Sequence, residues 1–241
     1  SNDANTDGHF LNCTLQGPPG CGKTSLAKIL YNIWSSLNIF QSAETDFTIL
    51  NRADFVGSYM GTTANKTKKK LEKHSGGVIF IDEAYSLSTG ERDDYGKECL
   101  DVINAFLSEE KGKTVMIIAG YKQDLQDHFF SKNAGLKRRF NWTFTIPSYT
   151  SNELFQIFKH QLNQYNWTCE DSCKSLFKTH YKLFKHFGGD TENIAFKAKI
   201  EYSKRNWKIK RKTKKLLYGD VEKAIDYHFE KEEDKVNSMY I

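Results

Sequence analysis

Over the first 146 residues, short apolar runs alternate with segments whose apolar residues recur at helical spacing. Residues 78–81 (VIFI) and 115–119 (VMIIA) are apolar at every position, which is typical of strands buried on both faces. Strand, helix and strand in repeated succession favour a mainly parallel sheet covered by helices on both faces. The predicted strands are 10–16, 47–51, 78–81, 115–119 and 142–146, and the predicted helices between them are 23–37, 62–74, 95–109 and 123–129.

The pattern changes near Pro147, after which the apolar residues follow a helical period. Thr150 and Glu153 have the spacing of a capping box, in which two residues exchange bonds at the start of a helix. We therefore expect two domains, an α/β domain over 1–147 and a helical domain over 148–241. Later helices are predicted at about 171–185, at 191–204 and from Asp220 onward.

Composition is that of a folded protein with a core, since 39% of the 241 residues are hydrophobic and 27% are charged. The longest apolar run, 115–120, is far shorter than the roughly 20 residues that cross a membrane, so no membrane span is expected. Four large aromatic residues have core-like spacing and are predicted to pack inside: Trp34, Phe106, Trp142 and Phe158.

The five cysteines are odd in number and include no CxxC pair, and the start of the chain does not resemble a signal peptide. They are expected to be reduced thiols in an intracellular compartment, cytoplasm or nucleus. The seven histidines have none of the spacings of a zinc site, so a metal other than Mg²⁺ is not expected.

The formal net charge of +5 comes from one segment. Residues 204–215 (KRNWKIKRKTKK) hold eight basic and no acidic residues, which leaves 27 basic against 30 acidic residues elsewhere. Such a cluster is either a solvated loop or, with Trp207 and Ile209 between the charges, a contact for nucleic acid, an acidic partner or a neighbouring subunit.

Gly17 to Thr24 read GPPGCGKT, the full GxxxxGK[ST] pattern between a predicted strand and a predicted helix. The glycines let the backbone N–H groups surround phosphates, and the helix N-terminus adds its dipole. Lys23 would reach the β- and γ-phosphates, and the Thr24 hydroxyl would bind Mg²⁺. The predicted nucleotide-binding residues are Gly17, Pro18, Pro19, Gly20, Cys21, Gly22, Lys23, Thr24 and Ser25.

Two carboxylates, Asp82 and Glu83, follow the buried run 78–81. Acids at the end of a core strand emerge at the carboxyl edge of a parallel sheet, where open α/β folds bind ligands. Asp82 is predicted to hold Mg²⁺, and Glu83 to orient and polarise the water that attacks the γ-phosphate.

With these motifs the sequence resembles the AAA+ ATPases, in the branch that includes the red-type Rubisco activase and the stage V sporulation protein K-like proteins. The resemblance covers about 10–204 and implies ATP and Mg²⁺ as ligands, a five-stranded parallel P-loop fold with a helical lid, and a ring, usually a hexamer, that pulls on a protein substrate. The motifs that carry it are GPPGCGKT, FVGSYMGTTANKTK, GGVIFIDEAYSL, IIAGY, GLKRRF and IPSYTSNEL.

The resemblance also implies roles for residues outside the phosphate loop. Tyr59, Met60 and Gly61 match the pore loop that grips substrate, although Tyr59 and Met60 would otherwise be read as core residues under a loop. In GLKRRF, Arg139 matches the arginine finger that reaches the neighbouring subunit's nucleotide, with Arg138 as a second cation or a surface residue.

Two positions depart from the wider family pattern. Tyr121 stands where a polar residue, often Asn, senses the γ-phosphate. Glu192 stands near the lid position that often carries an arginine, and a carboxylate cannot replace a guanidinium that binds phosphate. Lys197 or Lys199 would have to serve instead, or this sensor is absent and turnover is slow.

Three functions fit these sequence features. The first is a Mg²⁺-dependent ATPase that forms a ring and remodels a protein. The second is a nucleic-acid-dependent ATPase, such as a loader, that grips phosphates through 204–215. The third is a nucleotide-gated assembly module that hydrolyses ATP weakly because its sensors are missing.

Overall fold

The computed structural model describes residues 9–40, 46–57, 59, 61–90, 93–208 and 213–238, with side chains described as far as residue 230. By their contacts the residues form two compact units. The first contains the chain up to Pro18 together with Gly22–Ile146, and the second contains Pro19–Cys21 together with the chain from Pro147 onward.

The first unit is built on a five-stranded sheet in the order β2-β3-β4-β1-β5, with parallel pairing between all neighbours. This confirms the predicted parallel sheet. The strands are β1 (Cys13–Gln16), β2 (Phe47–Leu50), β3 (Val78–Ile81), β4 (Val115–Gly120) and β5 (Trp142–Thr145).

Both faces of the central strands are covered. In β3, Val78 and Phe80 face one apolar cluster while Ile79 and Ile81 face another, and all four side chains are fully buried. Successive residues of a strand point to opposite faces, so a strand between two cores must be apolar throughout. This explains why the VIFI run lacks the alternation of a half-exposed strand.

Helices of the first unit are α1 (Lys23–Ser36), α2 (Arg52–Phe55), α3 (Thr63–Lys73), α4 (Asp94–Glu109), α5 (Lys122–Leu125) and α6 (Ala134–Lys137). The helix predicted at 123–129 is interrupted, because α5 passes into a π-helical turn at Gln126–Phe130. In this turn Phe129 and Phe130 both contact the ring of Phe140 edge-on, at centroid distances of 5.8 and 5.9 Å.

The edge strand β5 corrects one packing prediction. Phe106 and Phe158 are buried and Trp34 is partly buried, but 56% of the Trp142 surface is exposed. Because β5 ends the sheet and pairs with β1 on one side, its side chains are less covered than those of the central strands.

The second unit is helical, as predicted for the chain after Pro147. Its helices are α7 (Ser151–Asn163), α8 (Lys174–Thr179), α9 (Gly188–Arg205) and α10 (Tyr218–Ser238), and two-residue parallel strands, β6 (Thr168–Cys169) and β7 (Lys215–Leu216), pair beside them. The predicted capping box is confirmed, since Thr150 Oγ1 accepts from Glu153 N and the Glu153 carboxylate accepts from Thr150 N.

The helix predicted at 171–185 is broken into the short α8 and two 3₁₀ turns, Asp171–Cys173 and Tyr181–Leu183. Phe177 and Phe184 stack with ring centroids 5.4 Å apart. In a continuous helix these two positions would lie about 10 Å apart along the axis. The break therefore lets both rings enter the core of the second unit.

Candidate nucleotide site

The phosphate loop follows the central strand β1. Gly17 N donates to Gly120 O of the neighbouring β4 (3.3 Å), which fixes the start of the loop at the carboxyl edge of the sheet. The loop then turns through Gly22, whose φ of 87° favours glycine, and α1 begins at Lys23. The N-terminus of a 14-residue helix is thereby joined to this edge.

Lys23 is buried at the start of α1, and its Nζ donates to the carbonyl oxygens of Gly17 (3.1 Å) and Pro18 (2.9 Å). The same Nζ lies 6.0 Å from the ring centroid of Tyr121, the residue that follows β4. The ammonium group is thus held within the curve of the loop, where the pattern predicts it would meet phosphate.

Thr24 and Asp82 are brought together by the sheet. Thr24 Oγ1 donates to Asp82 Oδ2 at 3.5 Å, although 58 residues separate them. A hydroxyl and a carboxylate are the hard oxygen ligands that Mg²⁺ prefers, and it commonly keeps several waters as its other ligands. The donor set therefore fits the metal predicted here.

Glu83 directly follows this pair, and its backbone N donates to Asp82 Oδ1 (3.0 Å). Its φ of 48° and ψ of 47° lie in the left-handed region, which is uncommon for a residue with a Cβ. The side chain is exposed at the sheet edge, one residue before a short 3₁₀ helix at Ala84–Leu87. Such backbone strain clusters at functional sites.

Three predicted loop residues, Pro19–Cys21, belong by contact to the second unit. Gly20 O accepts from Gly188 N (3.0 Å), and a Cβ on Gly20 would lie 1.9 Å from His186 O. Gly20 also has a φ of 70°. Glycine is therefore required here for space as well as for backbone conformation. Ser25, the last predicted loop residue, is exposed on α1.

The pore-loop prediction falls partly outside the described residues, since Met60 is not among them. Tyr59 is 77% exposed, and a Cβ on Gly61, whose φ is 79°, would meet no neighbour within 4 Å. Tyr59 therefore does not fill the core, and the alternative reading of this residue is wrong.

Arg139 is held by its own chain. Its Nε donates to Ser108 Oγ (2.9 Å), Nη2 also contacts Ser108 Oγ, and Nη1 donates to Gly135 O (2.7 Å). The adjacent Arg138 is exposed.

The candidate lid sensors engage groups within the second unit. Lys197 Nζ lies 3.0 Å from His228 Nδ1, and Lys199 Nζ lies 4.7 Å from the ring centroid of Tyr165. Glu192 is exposed on α9.

The basic segment 204–215 is described apart from 209–212. Two of its charges are already paired, Lys204 with Glu201 (2.5 Å) and Arg205 with Asp220 (2.7 Å). Trp207 is 72% exposed, and Lys208 Nζ lies 4.9 Å from its ring centroid.

None of the five cysteines is disulfide-bonded. Burial raises the pKa of Cys13 and of Cys99 to about 12, which keeps both thiols protonated and inert.

Over the described residues there is no group of three or more His, Cys, Asp or Glu side chains suited to a metal. In the same part of the chain, every helix is too short or too polar to cross a membrane.

A phosphate loop between a central strand and a helix, with a Thr–Asp pair and an adjoining carboxylate at the sheet edge, defines the class of P-loop nucleoside triphosphatases. Within that class, the family model of the "ATPase family associated with various cellular activities (AAA)" matches residues 13–143. The chain therefore belongs to the AAA family, which confirms the family resemblance.

Curated relatives agree with this assignment. A putative cfxQ-like protein of Acanthamoeba polyphaga mimivirus is 35% identical over 201 residues, covering 81% of this chain and 49% of the relative. Stage V sporulation protein K of Bacillus subtilis is 36% identical over 154 residues, covering 64% and 47%. The ESX-3 secretion system protein EccA3 of Mycobacterium tuberculosis is 37% identical over 157 residues, covering 65% and 24%.

The chain thus spans about half the length of the first two relatives and about a quarter of the third. Among solved structures, a RuvB mutant of Thermotoga maritima matches with a TM-score of 0.64 at 18% identity, covering 91% of this chain and 63% of the other. This likeness supports the fold.

Proposed function

We propose that this chain hydrolyses ATP with Mg²⁺ in a ring of subunits and uses the energy to remodel a protein. The observation that carries the proposal is the convergence of Lys23, the Thr24–Asp82 pair and Glu83 at one edge of the sheet. Each has the chemistry that one part of phosphoryl transfer to water requires.

In this proposal Lys23 exchanges its two loop carbonyls for phosphate oxygens and neutralises their charge. Thr24 and Asp82 hold Mg²⁺, which when bound neutralises charge on the phosphates. Glu83 accepts a hydrogen bond from the attacking water and orients it. These side chains lie at the site before ATP binds. Positioning of the reacting groups should therefore contribute much of the rate enhancement.

Glu83→Gln tests the base assignment, because the amide keeps the shape of the side chain and cannot take a proton. We expect ATP affinity to stay within about twofold while turnover falls at least 100-fold. Glu72→Gln, an exposed change on α3, is the matched control. Turnover at the wild-type rate in Glu83→Gln would remove Glu83 from the mechanism.

Arg139 is the proposed cation donated to the neighbouring subunit. Among the described residues, three of its five guanidinium N–H groups are hydrogen-bonded, which holds the side chain in place and leaves two N–H groups for phosphate. Mixing Arg139→Ala with Glu83→Gln distinguishes action across subunits from action within one. We expect partial recovery of turnover in the mixture, since some sites then have both groups, and no recovery if Arg139 serves its own subunit. Arg138→Ala is the matched control.

Protein remodelling rests on the exposed Tyr59 beside the unobstructed Gly61. A rigid aromatic ring on a loop can contact varied polypeptides with little sequence preference. Tyr59→Ala should leave basal ATP hydrolysis within about twofold and abolish stimulation by an unfolded polypeptide. Tyr165→Ala, at another exposed tyrosine, should change neither. Retained stimulation in Tyr59→Ala would contradict the substrate role.

Exposure of Trp207 beside Lys208 favours one alternative, a nucleic-acid-dependent ATPase. Exposed aromatic rings among basic residues stack on bases while the charges contact phosphates. This function predicts that single-stranded DNA or RNA stimulates turnover and that nucleic-acid binding falls steeply as salt rises.

The other alternative is the assembly module that hydrolyses ATP weakly. It is tested by sizing the protein with and without ATP while ATP turnover is recorded, since such a module would assemble with ATP but hydrolyse it slowly.

A further inference from the structure

Ser108 holds the guanidinium group of Arg139 through a single oxygen atom. Ser108 Oγ accepts from Arg139 Nε at 2.9 Å and also accepts from Nη2 of the same side chain. The hydroxyl hydrogen is used elsewhere, since Ser108 Oγ donates to Asn104 O at 3.0 Å, one turn earlier in α4. A hydroxyl has one donor and two acceptor positions, so both acceptor positions of Ser108 are taken by Arg139.

A third bond limits the rotation of the guanidinium group. Arg139 Nη1 donates to Gly135 O at 2.7 Å, so all three nitrogens are bonded. Turning the planar group would break at least one of these bonds. Among the described residues, one N–H on Nη1 and one on Nη2 remain for a ligand. Two nitrogens of one guanidinium group can contact two oxygens of one phosphate.

The face of α4 that carries Ser108 also holds the segment that supplies Gly135 O. Asp101, Asn104 and Ser108 are three and four residues apart, which places them on one side of the helix. Asp101 Oδ1 accepts from Asn133 Nδ2 at 2.7 Å, and a Cβ on Gly135 would lie 2.7 Å from Asn104 Oδ1. Helix α6 therefore lies directly against α4, which fixes the Gly135 carbonyl relative to Ser108.

The backbone of Arg139 is anchored as well. Its carbonyl accepts from the side chain of the buried Asn12 at 3.0 Å, and Asn12 Oδ1 accepts from Met116 N of β4 at 2.7 Å. The backbone N of Arg139 donates to Leu136 O at 2.9 Å. Both ends of the arginine are thus held, and the guanidinium end depends on Ser108 for two of its three bonds.

We propose that Ser108 is a positioning residue that directs the two remaining N–H groups of Arg139 toward the nucleotide of the neighbouring subunit. The proposal rests on the assignment of Arg139 in the proposed function. A cation stabilises the transition state best when it is already fixed where negative charge develops, so its orientation matters as well as its charge. The GLKRRF motif points to Arg139, but Ser108 lies 31 residues earlier in the chain, and no local pattern joins the two.

Ser108→Ala removes the acceptor of two guanidinium bonds. We expect kcat for ATP to fall roughly tenfold with the KM within about twofold, because Arg139 keeps its charge and loses its fixed orientation. Ser108→Thr keeps the hydroxyl at this exposed position and should retain at least about half of the wild-type kcat.

Ser36→Ala is the matched control and should keep the wild-type kcat. Ser36 is an exposed serine at the end of α1, and its Oγ likewise donates to the carbonyl four residues earlier, Asn32 O, at 2.8 Å. Both alanine variants lose such a bond to a helix carbonyl, so the difference in kcat between them reports the contact of Ser108 with Arg139.

A combination with Arg139→Ala distinguishes positioning of Arg139 from a general structural effect. In single-turnover assays, Ser108→Ala should slow the otherwise wild-type enzyme roughly tenfold and slow the Arg139→Ala enzyme less than about twofold. An equal slowing in both backgrounds would overturn the inference. So would a kcat in Ser108→Ala that equals or exceeds that of Ser36→Ala, or a Ser108→Thr enzyme as slow as Ser108→Ala.

This inference and the proposed function fail in different ways. If Arg139→Ala itself kept the wild-type turnover, the role of Arg139 in the proposed function would fail. If Arg139→Ala were slow while Ser108→Ala matched the Ser36→Ala control, only the role of Ser108 would fail.

Discussion

The two units of this chain use their charged side chains in opposite ways. In the first, Lys23, Asp82 and Glu83 lie at one edge of the sheet, where Lys23 Nζ donates to two loop carbonyls and Glu83 is exposed. In the second, Asp190 and His228 are buried and bond to each other. A charge kept available for a ligand does little for stability, whereas a buried carboxylate is costly to separate from its hydrogen-bond partners. The units should therefore respond differently to mutation.

The buried network of the second unit is fully connected. Asp190 Oδ1 lies 3.1 Å from His228 Nε2, and Asp190 Oδ2 accepts from His186 N at 2.7 Å. On the other side of the imidazole, Lys197 Nζ lies 3.0 Å from His228 Nδ1. Lys197, considered above as a replacement sensor, thus has a structural partner within its own unit.

The largest effect is expected at Lys23. Lys23→Ala removes the only side-chain cation placed on the loop carbonyls in the described part of the site, and we expect ATP affinity to fall about 100-fold. The melting temperature should move by less than about 3 °C, since the change removes two hydrogen bonds at the loop and leaves the apolar cores intact. Lys28→Ala, an exposed change on the same helix, is the control. Calorimetric titration with ATP and Mg²⁺ measures the affinity, and thermal unfolding measures the melting temperature. Unchanged affinity in Lys23→Ala would contradict the assignment of the nucleotide site.

Asp190→Ala should have the largest effect on stability. The change leaves His228 and the His186 amide without their acceptor inside the second unit, at a cost of about 3 kcal/mol in the free energy of unfolding. Denaturant unfolding measures this loss. Asp226→Ala, on an exposed part of α10, should cost little. A loss below about 1 kcal/mol in Asp190→Ala would contradict the view that the second unit depends on this buried carboxylate for stability.

The first unit also contains a charged side chain with several partners, Asp93. Its carboxylate accepts from Thr89 N and Gly96 N, both at 2.9 Å, and pairs with Arg52 at 2.9 Å. Burial alone would raise the pKa of Asp93, but these bonds outweigh it and hold the pKa below its usual range. The ionised form is therefore favoured by folding.

Asp93→Asn should cost about 2 kcal/mol at pH 7, because the amide keeps one acceptor and loses the charge opposite Arg52. A lowered carboxyl pKa adds stability above the unfolded value of about 4, and that stability is lost as the pH falls through the folded value. The difference in the free energy of unfolding between wild type and Asp93→Asn should therefore shrink at acid pH. Urea unfolding at pH 7 and pH 3 measures this difference, and a difference that is constant with pH would contradict the charge assignment.

Particular residues explain what the sequence could and could not predict. Thr24 and Asp82 were predicted from a phosphate loop and an acid at the end of a core strand, and parallel strands bring such ends to one edge. The Tyr85 ring lies so near Gly120 that a Cβ on the glycine would be 2.9 Å from Tyr85 Cδ1; this contact depends on tertiary packing, so no local sequence pattern predicts it. The break at α8 escaped prediction for a similar reason, since its apolar residues fit a helix and tertiary packing of Phe184 decides otherwise.

The smallest expected effect is at the start of α7, where Thr150 caps the helix in the second unit. Thr150 Oγ1 accepts from Glu153 N at 3.3 Å, and Thr150→Ala removes this acceptor from a helix N-terminus, at a cost of about 1 kcal/mol. Ser151→Ala is the control, because the cap bond comes from Thr150. Since a cap stabilises without touching the ligand, ATP affinity should stay within about twofold while the melting temperature falls by a few degrees. If Thr150→Ala instead weakened ATP binding tenfold, residues of the second unit other than the loop residues Pro19–Cys21 would have to act on the nucleotide, and helix α7 could no longer be assigned to stability alone.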